Sequence, residues 1–372
     1  MSPLGAVKGR LVSLDAFRGI TIAGMILVNN PGSWDHVYPP LRHAAWHGWT
    51  PTDLIFPFFI FIMGAAISLA LGRRAGEGQS PARLHRKILV RSALIFAVGL
   101  LLHLLPQFEF GSLRIPGVLQ RIALCYLVAA LLYVHAGTKA RTGWALGSLA
   151  AYYLIMRYVP VPGYGAGVWD YNGNLESYVD TKLLAGHLYK PTFDPEGIVS
   201  TLPAIGTALL GTLAGDWLRA PRGTAAKTAG LTAAGAALTA AGLALHPYFP
   251  INKQLWTSTF VLFTAGAACL LLAACYLVID GLGFKKWAAP FVVFGTNALA
   301  AFVGSGLAVK LLRYVKVGPE GDKVGILSWV YQHAFVPWAG ELNGSLAYAA
   351  VYVLLWLGLM TILYRRKIFI KL

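Results

Sequence analysis

The sequence predicts an all-α fold, a polytopic membrane helix bundle of about ten transmembrane helices with both termini cytoplasmic, built as a single domain over residues 1–372. Three observations predict it. Hydrophobic residues make up 57% of the chain against 12% charged, with a mean hydropathy of +0.61, which is more apolar than a water-soluble domain. Apolar runs recur that approach the roughly 20 residues a helix needs to cross the hydrocarbon core of a bilayer. Lys and Arg gather in short segments that fall on one side when alternate runs are traced, as retention of cationic side chains in the cytoplasm requires.

Traced in order, the runs are 19–31, 53–71, 88–105, 118–135, 143–159, 198–217, 228–245, 257–279, 288–312 and 344–364. The first follows a basic N-terminal stretch and lacks an A-x-A-like cleavage site, so it reads as a retained helix. The cytoplasmic side is set by Lys8, Arg10 and Arg18, then by Arg73, Arg74, Arg83, Arg86, Lys87 and Arg91. Lys139, Arg141, Arg219, Arg222, Lys227, Lys285 and Lys286 continue it, and Arg365, Arg366, Lys367 and Lys371 close it. The opposite segments, 31–52, 160–196 and 314–343, are longer and rich in Trp, Tyr, Gly and Pro, so chemistry on a polar ligand is expected there. Gly and Ala crowd the stretch 224–245, which lets helices approach closely.

A net charge of +16 does not point to nucleic acid, because no basic stretch is long enough to form a binding surface apart from the membrane. Cys125, Cys269 and Cys275 lie within apolar runs, where neither a disulfide framework nor a thiolate metal site is expected.

Ionisable groups near a membrane boundary are costly and are kept for use or for pairing. The segment HAAWHGWTPTDLIFPFFIFIMG, residues 43–64, sets His43, Trp46, His47 and Asp53 at the lip of the second run. His43 is the sharpest candidate, since an imidazole can be neutral near physiological pH and act as base or nucleophile; an interfacial histidine solvated by headgroups has the same pattern. His43 and His47 are four apart, but Gly48, Thr50 and Pro51 interrupt a helix and no Glu stands between them, so no metal is expected. Asn29 and Asn30 end the first run beside Pro31 and Gly32; a carboxamide there can donate to a developing oxyanion, or simply terminate the helix. RIPGVLQRIA (114–123), DPEGIVSTLPAIG (194–206) and PINKQLWTSTF (250–260) each open a run with polar groups. They bring Gln120, Arg121, Glu196, Asn252 and Lys253 to the same expected face.

Together with RLVSLDAFRGI (10–20), these segments resemble the heparan-alpha-glucosaminide N-acetyltransferase family and its bacterial DUF5009 or NagX-like inner-membrane relatives, over Arg10 to about Val303. The resemblance implies a bacterial inner-membrane, multi-pass enzyme that moves acetyl from cytoplasmic acetyl-CoA to the amino group of a glucosamine-type sugar on the far side. It places the family's catalytic histidine on His43 through the H-A-x-W match and its active-site asparagine on Asn29 through L-V-N, with Asn30 adjacent. Relatives carry Asn where His47 stands. Arg121 and Arg18 are candidates for phosphate or charge pairing, and Asp53 and Glu196 for holding sugar hydroxyls or amine. Trp46, Gln120, Asn252 and Lys253 complete the expected substrate and cofactor contacts. The expected partners are acetyl-CoA, an amino sugar and the lipid bilayer, with no metal and no nucleic acid, and the family implies a homodimer. The competing expectation is an inner-membrane transporter of an amino sugar such as N-acetylglucosamine, which would need alternating access and no thioester.

Overall fold

A computed structural model describes residues 11–76, 80–318 and 323–370. Lys8, Arg10 and Lys371, expected on the cytoplasmic side, lie outside the described residues, as do the side chains of Arg73 and Arg74.

The protein is a multi-pass membrane helix bundle. Helix α1 (Val12–Asn29) begins earlier than the apolar run implied, because its first turn is polar but capped: the Asp280 carboxylate accepts the Val12 and Ser13 N–H groups at 3.3 and 3.0 Å. A 3-10 turn (Pro51–Leu54) feeds α2 (Ile55–Gly76), followed by α3 (Pro81–Leu104), α4 (Val118–His135) and α5 (Thr138–Tyr158). A short helix α6 (Leu175–Leu184) precedes α7 (Thr201–Arg219), α8 (Thr224–Ala244) and α9 (Ser258–Cys275), whose last turns widen into a π-helix at Tyr276–Gly281. Helices α10 (Ala289–Thr296) and α11 (Ala298–Leu312) form one run bent by 80° at Asn297. A two-residue antiparallel ribbon, β1 (Lys316–Val317) with β2 (Val324–Gly325), leads through α12 (Ile326–Val330) to α13 (Val336–Arg365), broken at Gly340.

Among the described residues, six helices are long and apolar enough to cross a membrane, or seven if the bent pair α10–α11 counts as one span. The remaining expected spans correspond to α5, α7 and α8, which have 21, 19 and 21 residues but are less apolar. For α7 the reason is its place: it lies between α2, α4, α5 and α9, and protein rather than lipid covers most of its faces. It meets α2 through glycine. A Cβ on Gly64 would stand 2.0 Å from the Ala208 carbonyl oxygen, and one on Gly211 would stand 2.1 Å from that of Phe61. The glycine-rich α8 packs on α9 in the same way, through Gly235 and Gly242, as its composition predicted.

Polar groups gather at the two ends of this bundle. At one end Asp216 of α7 binds Arg141, Tyr133 and Ser68. At the other, the segments before α2 and α9 meet where Gly48 bonds Ile251, and Arg121 of α4 bonds the loop that opens α7.

Candidate active site

The loop leaving α1 turns back at Thr50-Pro51-Thr52-Asp53, a Thr-x-x-Asp capping box with Pro at the first helical position. Asp53 is 1% exposed, and its Oδ2 accepts the N–H groups of Ala44 and Thr50, each at 3.0 Å, and the Thr50 hydroxyl at 3.2 Å. That leaves Oδ1, which lies 2.7 Å from His43 Nδ1 and 3.4 Å from Lys253 Nζ. A carboxylate only accepts, so Nδ1 of His43 carries the proton and the lone pair of the neutral ring sits on Nε2. His43 itself is 40% exposed. A ring whose tautomer is held by a buried acid in this way can act chemically as a general base or nucleophile.

Lys253 Nζ lies 2.9 Å from His43 Nδ1 and 3.3 Å from Nε2. Burial draws its pKa below the usual lysine value, a shift only partly offset by the charges of Asp53 and Glu196. Its loop is fixed to the His43 loop. Gly48 donates its N–H to the Ile251 carbonyl at 2.8 Å, at a positive φ of 94° that a side chain would resist. Asn252, fully buried, donates through Nδ2 to His47 Nδ1 at 3.3 Å and accepts the Leu255 N–H at 2.9 Å. His47 therefore accepts as a neutral ring. Partial burial holds its pKa below the ordinary histidine value, opposed by the charge of Asp170 and reinforced by His246.

Trp46 lies beside His47, its indole N–H donating to the Trp169 carbonyl at 2.8 Å and its ring meeting Tyr171 and Phe193 edge-on. Glu196 lies within electrostatic reach of Lys253, but its Oε2 also accepts from Arg114 at 2.6 Å. Arg114 holds Asp194 through two parallel hydrogen bonds of 2.8 and 2.6 Å. Burial alone would lower the Arg114 pKa, yet these two carboxylates raise it.

The structure thus brings His43, Asp53, Lys253, Asn252, Trp46 and Glu196 together at one end of the bundle. Asn29 ends α1 with an exposed carboxamide that makes no hydrogen bond among the described residues, whereas Asn30 spends its amide on the Ile26 carbonyl at 2.7 Å. The other expected contacts are placed differently. Arg121 is 1% exposed, donates to the carbonyls of Pro195 and Gly197 and to the Ser200 hydroxyl, and stacks on Trp256, so it braces the loop that carries Glu196. Gln120 is buried 3.5 Å from His103. Arg18 pairs with Asp15 at 3.3 Å and bonds the Gly295 carbonyl, three turns of α1 below Asn29 and about 16 Å away along the axis. Thr50 and Asp170 shape the site without any motif that marks them; Thr50 is visible only as the first residue of the capping box.

A family model described as "Heparan-alpha-glucosaminide N-acetyltransferase, catalytic" matches residues 10–250, which include His43, Trp46, Asp53 and Glu196 and stop before Asn252 and Lys253. A human protein named heparan-alpha-glucosaminide N-acetyltransferase is 30% identical over 433 residues, covering 99% of this chain and 61% of its own length. The mouse protein of that name is 29% identical over 352 residues, covering 79% of this chain and 53% of its own. The chain spans between about half and three fifths of the length of these relatives.

Proposed function

This chain belongs to the heparan-alpha-glucosaminide N-acetyltransferase family, and from that premise we propose that it moves acetyl from cytoplasmic acetyl-CoA to the amino group of a glucosamine-type sugar on the opposite face of the membrane. The observation that carries the reading is the Asp53–His43 pair at 2.7 Å, which leaves Nε2 of the half-exposed His43 as the accepting nitrogen, with Lys253 Nζ 3.3 Å from it. The attacking sugar amine forms the new C–N bond as the thioester C–S bond breaks, and its proton passes to His43 Nε2. The same atom can instead carry the acetyl group between donor and acceptor. Asn29 donates to the oxyanion of the tetrahedral intermediate, a contact whose loss costs about 10²- to 10³-fold in rate. Trp46 gives the pyranose an apolar face, and Glu196 holds a sugar hydroxyl or the incoming ammonium.

For the donor, Arg83, Arg86 and Lys87 are exposed at the start of α3, on the end of the bundle where Asp216 and Arg219 cluster. In this reading they attract the CoA phosphates, and affinity for CoA falls as salt rises. The bundle has ten spans with both termini cytoplasmic, resides in a bacterial inner membrane and works as a homodimer.

The experiment is direct. Purified protein is incubated with labelled acetyl-CoA and glucosamine, and acetylated sugar is measured for wild type and His43→Ala. Transfer is expected from wild type and a loss of about 10³-fold in the variant, with CoA binding retained. Full turnover by His43→Ala would rule out both versions of the chemistry. An amino-sugar carrier would instead move labelled N-acetylglucosamine across a vesicle membrane without consuming thioester.

A further inference from the structure

Lys253 carries an amine, the same functional group as the proposed acceptor, and the transfer chemistry gives it no step. We propose that Lys253 is an internal acetyl acceptor: when no amino sugar occupies the site, its Nζ takes the acetyl group activated at His43 and becomes an Nε-acetyl-lysine. The inference rests on the acetyltransferase reading above and extends it to a modification of the protein itself.

Four observations carry it. Nζ lies 3.3 Å from Nε2 of His43, the atom from which acetyl is passed or to which the amine proton goes, so amine and base are already within proton-transfer reach. The side chain is only 17% exposed, and its loop is fixed by the buried Asn252, so the amine cannot swing into solvent at low cost. Burial lowers its pKa, which raises the fraction present as the nucleophilic free amine. Finally, Nζ stands 3.4 Å from Asp53 and within electrostatic reach of Glu196, the carboxylates that would also receive an incoming sugar ammonium, so lysine and sugar compete for one place.

The step balances without another reactant. The Lys253 amine lone pair forms an amide bond to the acetyl carbon, and the thioester C–S bond breaks, or the C–N bond to His43 if acetyl rests there. In direct transfer the amine proton passes through Nε2 to the departing thiolate, giving CoA as the free thiol; from acetyl-His43, whose formation has already released CoA, the amine proton passes to Nε2 as the C–N bond breaks. The product amide is uncharged and bulkier, so it removes the cation beside Asp53 and crowds His43. The enzyme consequently silences itself when acetyl-CoA is present and the acceptor is absent, and the amino sugar protects it.

The test uses the full-length protein and labelled acetyl-CoA, with glucosamine either absent or saturating, followed by peptide mass spectrometry. Without glucosamine, acetyl at Lys253 is expected to exceed that at the exposed Lys182 and Lys190 by at least ~10-fold, and to resist hydroxylamine. It should fall to the level of those lysines with glucosamine present or in His43→Ala. Preincubation with acetyl-CoA alone should progressively remove turnover in wild type, in step with the acetyl measured on Lys253, and saturating glucosamine during the preincubation should prevent the loss. Label that reaches glucosamine but never Lys253 overturns this inference and leaves the transfer reading standing. Equal label on Lys253 in wild type and folded His43→Ala, judged by an unchanged melting temperature, also overturns it. If neither glucosamine nor Lys253 is labelled, the transfer reading itself fails and this inference goes with it.

Discussion

At the scale of single residues, the site depends on what Asp53 does with its two oxygens. One closes the capping box and the other fixes the His43 tautomer, so Asp53→Asn keeps the turn but presents an amide that can donate to Nδ1 and move the proton to Nε2. A loss of roughly 10³- to 10⁴-fold in kcat is expected, with CoA affinity unchanged, read by steady-state kinetics and equilibrium binding. His47 gives a pH signature. Its folded pKa lies below the ordinary 6.5, so the unfolded chain binds the proton more readily. The stability contributed by its bond to Asn252 is complete above about pH 6.5 and is lost as pH falls from there through the lowered folded value. His47→Asn, the residue of the resembled family, should flatten the acid side of a melting-temperature profile. His43 and Asp53 were legible from one motif because they share a turn. The approach of Lys253, 210 positions away, was legible only as a helix start on the same face, since no local pattern encodes which loop tips touch. Arg121 and Gln120 carried the same polar signal for a structural reason: buried polar groups that brace a loop look like ligand contacts until their partners are seen.

At the scale of elements, the bundle is held by helix pairs that approach through glycine. Gly211 of α7 and Gly64 of α2 face each other across a crossing where an added Cβ meets backbone oxygen near 2 Å, and backbone cannot yield as a flexible side chain can. Gly211→Val should therefore cost about 1–3 kcal/mol or prevent assembly, seen as a lower melting temperature in detergent. Gly147 of α5 is the contrasting case, exposed with nothing within 4 Å of a Cβ. Gly147→Ala should gain about 0.5–1 kcal/mol through chain entropy alone. The apolar runs located α4 within a residue, because its ends coincide with a Gly and a polar loop. They started α1 and α3 late because apolar content does not register polar turns, whether capped by Asp280 or opened by Ser80-Pro81. They also carried α10–α11 as one straight span, since nothing in hydropathy marks the bend at Asn297, whose amide bonds the Ile368 carbonyl.

At the scale of the whole molecule, the proposed chemistry requires donor and acceptor to approach from opposite faces. The expected sidedness puts the Tyr164 loop outside and the Lys285 loop inside, and both positions are exposed. In intact cells a membrane-impermeant maleimide should label Tyr164→Cys directly and Lys285→Cys only after permeabilisation; the native cysteines at 125, 269 and 275 are buried. Among the described residues six helices, or seven with the bent pair, are apolar enough to span, and a helix such as α7, enclosed by neighbours, falls short because it trades leucine for glycine, alanine and threonine. Sidedness of transfer is the central claim, and oriented proteoliposomes measure it. With acetyl-labelled acetyl-CoA on the face carrying Arg86 and Lys87 and glucosamine trapped on the face carrying His43, labelled N-acetylglucosamine should accumulate with the sugar while free CoA stays with the donor, and His43→Ala should give none. Acetylated sugar formed only when both substrates share one face would contradict the account.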